Sequence, residues 1–148
     1  MKAVVQRVDY VKVIIDEKVY SSIGKGLLVL LGVMKNDTEE IATKLAHKII
    51  DLRIFEDSND KMNLSLKDIE GEVMVISQFT LCTDNEKSGN RPSFSFAEEP
   101  EKAKTLYEHF IKECCKYYNS KCVKSGIFGA MMRIELVNNG PVTIILER

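Results

Sequence analysis

The residues Ser77, Gln78, Phe79 and Thr80 follow directly on an apolar run, GEVMVI, and precede an irregular segment, CTDNEKSGNRPSFSF. Polar side chains therefore collect where a buried strand should end and a long loop begin, a common place for functional groups. The hydroxyls there either cap a fraying strand or do chemistry. A hydroxyl becomes a nucleophile only when a neighbouring base takes its proton. Thr80 is the natural candidate, but no recognisable motif supplies it with a histidine. His47 lies between Ala46 and Lys48, and His109 between Glu108 and Phe110. Both sit in helical patterns, where a surface or half-buried position is the ordinary reading. G-x-S-x-G, P-loop and H-E-x-x-H signatures are missing from the chain. Either the base comes from elsewhere or the substrate supplies it.

A second unusual place is NNGPVTIIL, residues 138–146. Gly140-Pro141 separates two strand-like runs, MMRIEL and VTIIL. Proline removes a backbone donor and is confined to sheet edges, strand starts and bulges. X-Pro bonds are also the ones that adopt cis at low cost. The dipeptide is either a plain turn or a shaped piece of backbone with a task. The cysteines suggest less: Cys82, Cys114, Cys115 and Cys122 show no C-x-x-C spacing and no nearby histidine pair. They read as reduced thiols, partly in the core, with no metal set at known spacing.

These groups must be positioned by an ordered framework, and the chain predicts one. AVVQRVDYVKVIID reads as one or two strands, with a turn at DEK and a hairpin return at VYSSI. GLLVLLGV reads as a strand buried on both faces. NDTEEIATKLAHKIIDLRIF changes period: Asp37 or Thr38 would cap a helix whose buried stripe is Ile41, Leu45, Ile49 and Leu52. RIFED then predicts a short strand, SNDKMN a polar loop, and GEVMVISQF a strand from Glu72 to about Phe79. EEPEKAKTLYEHFIKECCKYYNS predicts a second helix with Pro100 in its first turn and Leu106, Phe110 and Ile111 buried. KCVKSGIFGAMMRIELVN and PVTIILE predict two further strands. The order implies an α/β fold, a single compact domain over 1–148 with a layered, largely antiparallel or mixed sheet and two main helices on one side.

The 148 residues are 45% hydrophobic and 29% charged with a net charge of −1, as expected of a globular protein. No overall basic excess points to nucleic acid, so any RNA contact must come from a local patch. The longest apolar stretch is too short to cross a bilayer and the N-terminus lacks a signal-peptide pattern, so a cytoplasmic, membrane-free protein is expected.

Taken in order, AVVQRV, GLLVLLGV, NDTEE, LRIFED, KMNLS, SQFTL, NRPSF, FGAMM and NNGPVT resemble the D-aminoacyl-tRNA deacylase (D-tyrosyl-tRNA(Tyr) deacylase) family over nearly the whole chain. The resemblance implies a barrel-like homodimer without cofactor or metal, acting on the acceptor end of aminoacyl-tRNA. It implies hydrolysis of the D-aminoacyl ester, and of glycyl-tRNA, with attack by water assisted by the ribose 2′-OH. Ser77, Gln78, Phe79 and Thr80 would form the catalytic pocket. Gly140 and Pro141 would form a Gly-cisPro motif that enters the partner's active site and rejects L-aminoacyl groups by clash. Arg7 would support that motif, and Phe128 and Met132 would flank the terminal adenosine. The chain departs from the family pattern in places. Its CTDNEKSGNRPSF loop is longer and more acidic, which would either weaken phosphate contacts near the acceptor end or leave them to other lysines, such as Lys87, Lys121 or Lys124. Cys82 replaces a common aromatic, and Asn139 a common Asp.

Overall fold

The computed structural model describes residues 1–84 and 90–148. Its elements in chain order are β1 (Lys2–Ile15), β2 (Lys18–Ile23), β3 (Gly26–Gly32), α1 (Glu39–Ile50), β4 (Phe55–Glu56), β5 (Met62–Leu64), β6 (Glu72–Ser77), α2 (Pro100–Tyr117), β7 (Val123–Ser125) and β8 (Arg133–Glu147). Short 3-10 turns add Phe79–Cys82 and Ser120–Cys122.

The first run of the sequence is one long strand. Asp16 and Glu17 turn it back with φ of 48° and 62°, the left-handed pair that a tight type I′ hairpin requires. β2 and β3 then lie end to end against one edge of β1, with Val11 opposite Ile23 and Val8 opposite Gly26. β8 runs antiparallel along the other edge, from Lys2↔Glu147 to Ile14↔Arg133. β6 joins β3 in parallel, and β7 joins β6 in parallel, so the sheet is mixed.

Both faces of this sheet are covered. On one face Ala3, Val5, Leu27, Val29, Leu31, Val73 and Val75 pack against Leu45 and Ile49 of α1 and Leu106 and Phe110 of α2. On the other, Val8, Val11, Val13, Leu28, Met74 and Ile76 fill the inside of the curled sheet, closed by Ile134 and Leu136 of β8. Register shifts between Gln6, Val8 and Tyr10 swap the inward parity of β1, which is why its alternation reads as imperfect.

Thr38 caps α1, its Oγ1 accepting from the Ile41 amide at 3.3 Å. Asp37 is instead buried and accepts from the Met34 amide at 2.6 Å and the Met1 ammonium at 2.5 Å. Leu52 falls past the helix end. Several expectations change shape. Met62 and Asn63, from the expected polar loop, belong to β5, which pairs with β4. The strand from Glu72 stops at Ser77 rather than Phe79. The two strands expected near the C-terminus are redistributed: β7 is a short separate piece, Met131 and Met132 lie in a loop, and β8 continues through Gly140-Pro141.

Candidate active site

Ser77 reaches its place because β6 runs parallel to β3 with Ser77 opposite Leu31. The pairing extends one residue further, Gln78 N donating to Leu31 O at 2.8 Å. At Gln78 the backbone turns (φ −143°, ψ 78°) and residues Phe79–Cys82 wind into a single 3-10 turn. Cys82 anchors that turn from below: it is 1% exposed, and its Sγ donates to Val33 O at 3.4 Å. A Cβ at Gly32 would lie 3.0 Å from that sulfur, so the small pair Gly32 and Cys82 lets the turn sit close on β3.

The turn brings polar side chains together. Gln78 Nε2 donates to Thr80 Oγ1 at 2.6 Å, and Thr83 Oγ1 donates to Thr80 O at 2.5 Å. No histidine attends Thr80. His109 bonds Thr43 Oγ1 at 2.9 Å on the α1–α2 seam. His47 stacks on Tyr117 at 3.8 Å and faces Glu113 at 3.7 Å. A hydroxyl that accepts from an amide and has no base among the described residues is poorly set up as a nucleophile. Among the described residues, no group of three or more His, Cys, Asp or Glu could hold a metal ion.

Beside the turn lies a cleft of about 710 Å³. Ile76, Ser77, Gln78 and Phe79 form one wall, Phe128 and Met132 another, and Ala97 and Glu98 part of a third. Thr80 does not line it; it is exposed just beyond. Phe79, 60% exposed, stands edge-on to Phe94 with ring centroids 5.0 Å apart. Met131, 92% exposed, lies at the rim. The cleft is lined mainly by apolar groups, and its charged lining residues are Glu98 and Glu99. Hydrogen bonds from the Lys102 ammonium and the Glu99 amide hold the Glu98 carboxyl below its usual range. A largely apolar cleft with a few convergent polar groups suits a small organic ligand part.

Gly140-Pro141 is placed elsewhere in the same chain. Val8 pairs with Asn138 and Gln6 with Thr143, so β8 spends residues 139–142 where β1 spends only Arg7. The extra backbone bulges outward. The Gly140–Pro141 peptide bond is cis and Gly140 has φ 121°. Both residues are exposed. Arg7, 6% exposed, holds the base of the bulge: Nε donates to Asn139 O at 3.2 Å, Nη1 to Ile54 O at 2.9 Å, and Nη2 reaches Glu56 Oε1 at 3.3 Å. Asn138 Nδ2 donates to Val142 O at 3.0 Å, and Asn139 Nδ2 to Asp9 Oδ1 at 2.8 Å.

The motif does not meet the cleft of its own chain. Arg7 is opposite Leu27 and Ser77 opposite Leu31, a separation of about 13 Å along the strands alone. Ser77, Gln78, Phe79, Phe128 and Met132 come together in the cleft. Thr80 borders it, and Arg7, Gly140 and Pro141 form a separate group. Lys121 and Lys124 are exposed, and Lys87 lies outside the described residues. Phe94, Glu99 and Asn138 take part in these arrangements without being singled out by the sequence. Only Asn138, a short amide inside a strand pattern, left a signal there.

Known proteins resemble this chain along nearly its whole length. A family model described as D-Tyr-tRNA(Tyr) deacylase matches residues 4–147. A D-aminoacyl-tRNA deacylase of Thermosipho melanesiensis is 54% identical over 99% of this chain and 97% of its own length. That of Pseudoalteromonas translucida is 54% identical over 99% of both. A solved structure titled c-Myc DNA Unwinding Element Binding Protein superposes with TM-score 0.94 at 40% identity, covering 100% of this chain and 99% of that one. A structure described as a probable eukaryotic D-amino acid tRNA deacylase shares the fold at TM-score 0.82 and 19% identity, over 98% and 97%. The chain belongs to the D-Tyr-tRNA(Tyr) deacylase family.

Proposed function

We propose that this protein hydrolyses the ester of D-aminoacyl-tRNA, releasing tRNA and the free D-amino acid, and that it also cleaves glycyl-tRNA. The observation that carries the reading is the cleft in which the strand-end residues 77–79 face Phe128 and Met132. An aromatic face can hold the terminal base of a single strand while the strand end receives the ester beside it. The first N–H groups of a helical turn have no intrahelical partner, so the amides of Phe79 and Thr80 are suited to the developing oxyanion. Among the described residues no base attends Thr80, so water attacks with help from the substrate's ribose 2′-OH, and Ser77 and Gln78 orient the ester.

In this reading Gly140 and Pro141 supply chirality from a second copy of the chain. Their exposed bulge cannot reach its own cleft but can enter that of a partner. Neighbouring apolar residues of the same strand, Ile145 at 68% and Val137 at 40% exposure, would be covered on association. Backbone carbonyls fixed by Arg7 would reject an L side chain by clash, which discriminates better than a missing contact.

The test is incubation of D-tyrosyl-tRNA with the purified protein in EDTA. Free tRNA and D-tyrosine should form. A tRNA ending in 2′-deoxyadenosine should be a poor substrate. Tight binding without turnover would support the rival reading, a non-catalytic tRNA-binding dimer that kept the fold. Mixing subunits altered at Gln78 with subunits altered at Gly140 tests the shared site. Mixed dimers should regain one selective site, and no recovery would reject the crossover.

A further inference from the structure

We propose that Tyr107, a buried residue of α2 outside the cleft lining, is a positioning residue that sets the Phe128 and Met132 wall. The assignment rests on the functional reading above for its substrate. Tyr107 is 3% exposed. Its hydroxyl donates to Val75 O at 2.8 Å. The same carbonyl accepts from Gly126 N at 3.1 Å, so both of its lone pairs are used. Val75 is where the sheet lets the loop go: the β6–β7 pairing ends at Val75↔Ser125, and the chain leaves as the segment 126–132 that carries both wall residues. The phenol thus meets the departing Gly126 amide on one carbonyl of the neighbouring strand.

The ring of Tyr107 makes the second contact. It packs against Phe128 with centroids 5.6 Å apart at 51°, from behind the face that lines the cleft. The loop itself has little slack near its root. A Cβ at Gly126 would lie 2.5 Å from Met132 Sδ and 2.9 Å from Ile76 Cδ1. A small rotation at Gly126 therefore moves Met132 as well as Phe128. Burial holds the phenol above its usual range, so it remains a donor at any pH at which the protein works. A purely space-filling role would need the ring and not the hydroxyl, and this difference makes the proposal testable.

The experiment uses full-length protein and the Tyr107→Phe variant, which keeps the ring and removes the bond to Val75. With D-tyrosyl-tRNA, KM should rise about three- to tenfold, the span of one neutral hydrogen bond, while kcat stays within about twofold, as for lost uniform binding. Amide hydrogen exchange should quicken in 126–132 and not in α1 or β1. Tyr107→Leu, which also loses the ring, should raise KM further. Unchanged KM with unchanged exchange would overturn the proposal. So would a fall in kcat at constant KM, or a uniform rise in exchange, which would mark a merely structural residue. If the wild type does not cleave D-tyrosyl-tRNA, the functional reading fails by itself, and exchange in 126–132 still decides whether Tyr107 positions the loop.

Discussion

Replacing Gly140 with alanine perturbs the bulge at its tip and leaves the cleft of the same chain untouched. The new Cβ would lie 2.7 Å from Val142 Cγ2, 3.0 Å from Arg7 Nη2 and 3.0 Å from Val142 N. The last is backbone and cannot swing away, and Val142 is β-branched with few rotamers to choose from. The residue also has φ 121°, and L residues held in such sparsely populated conformations cost about 1–3 kcal/mol. Strain and clash together should destabilise the variant by about 2–4 kcal/mol. For a chain of this size that lowers Tm by roughly 5–12 °C. Relief of the strain moves residues 139–142, and the Arg7 Nε bond to Asn139 O, already 3.2 Å long, is the first to go. Selectivity should then suffer more than turnover, because each 1.4 kcal/mol of lost L-specific clash is about tenfold. The assay is thermal unfolding together with the ratio of D- to L-tyrosyl-tRNA cleavage rates. A variant that melts with the wild type and discriminates as well would refute both the packing argument and the filter.

Other outcomes follow from the same geometry. Phe128→Ala should raise KM for D-tyrosyl-tRNA by about fivefold or more, since stacking of a base on an aromatic ring is worth about 1–3 kcal/mol, as steady-state kinetics would show. Thr80→Ala should keep substantial activity, because no base attends Thr80 among the described residues and it does not line the cleft; an acyl-Thr80 adduct trapped by mass spectrometry would contradict this. Lys102 and the Glu99 amide hold the Glu98 carboxyl below its usual range. A depressed carboxyl stabilises the fold above its unfolded pKa and loses that contribution as pH falls through the folded value. Glu98→Gln should therefore flatten the loss of stability below about pH 4.5 in denaturant titrations, relative to the wild type.

The elements that position the site were readable wherever one physical signal dominated. GLLVLLGV and GEVMVI are continuous apolar runs because both faces of β3 and β6 are covered, by the helices and by the curl of the sheet. Thr38 and Pro100 mark the helix starts through capping and a preset φ. The ends of elements were less readable. SQF has no turn residue, yet β6 stops at Ser77, because Gln78 makes the last sheet bond to Leu31 and Cys82 pulls the next turn under Val33. These are tertiary contacts that local propensity does not encode. Gly140-Pro141 announced itself as odd, but a proline between strands reads as a break. Arg7 opposite the bulge lets β8 run through it instead. Tyr107 left no signal, since a tyrosine on a helical stripe looks like any core residue until its hydroxyl is seen on Val75.

The central claim is chiral hydrolysis, and one competition measures it directly. D-tyrosyl-tRNA and L-tyrosyl-tRNA, carrying different radiolabels on the amino acid, are mixed in one tube with catalytic protein and no added metal, and both esters are followed in time. The D ester should disappear under enzyme catalysis while the L ester decays only at its spontaneous rate. Equal loss of both, or loss of neither while the protein remains folded and bound to tRNA, would contradict the account.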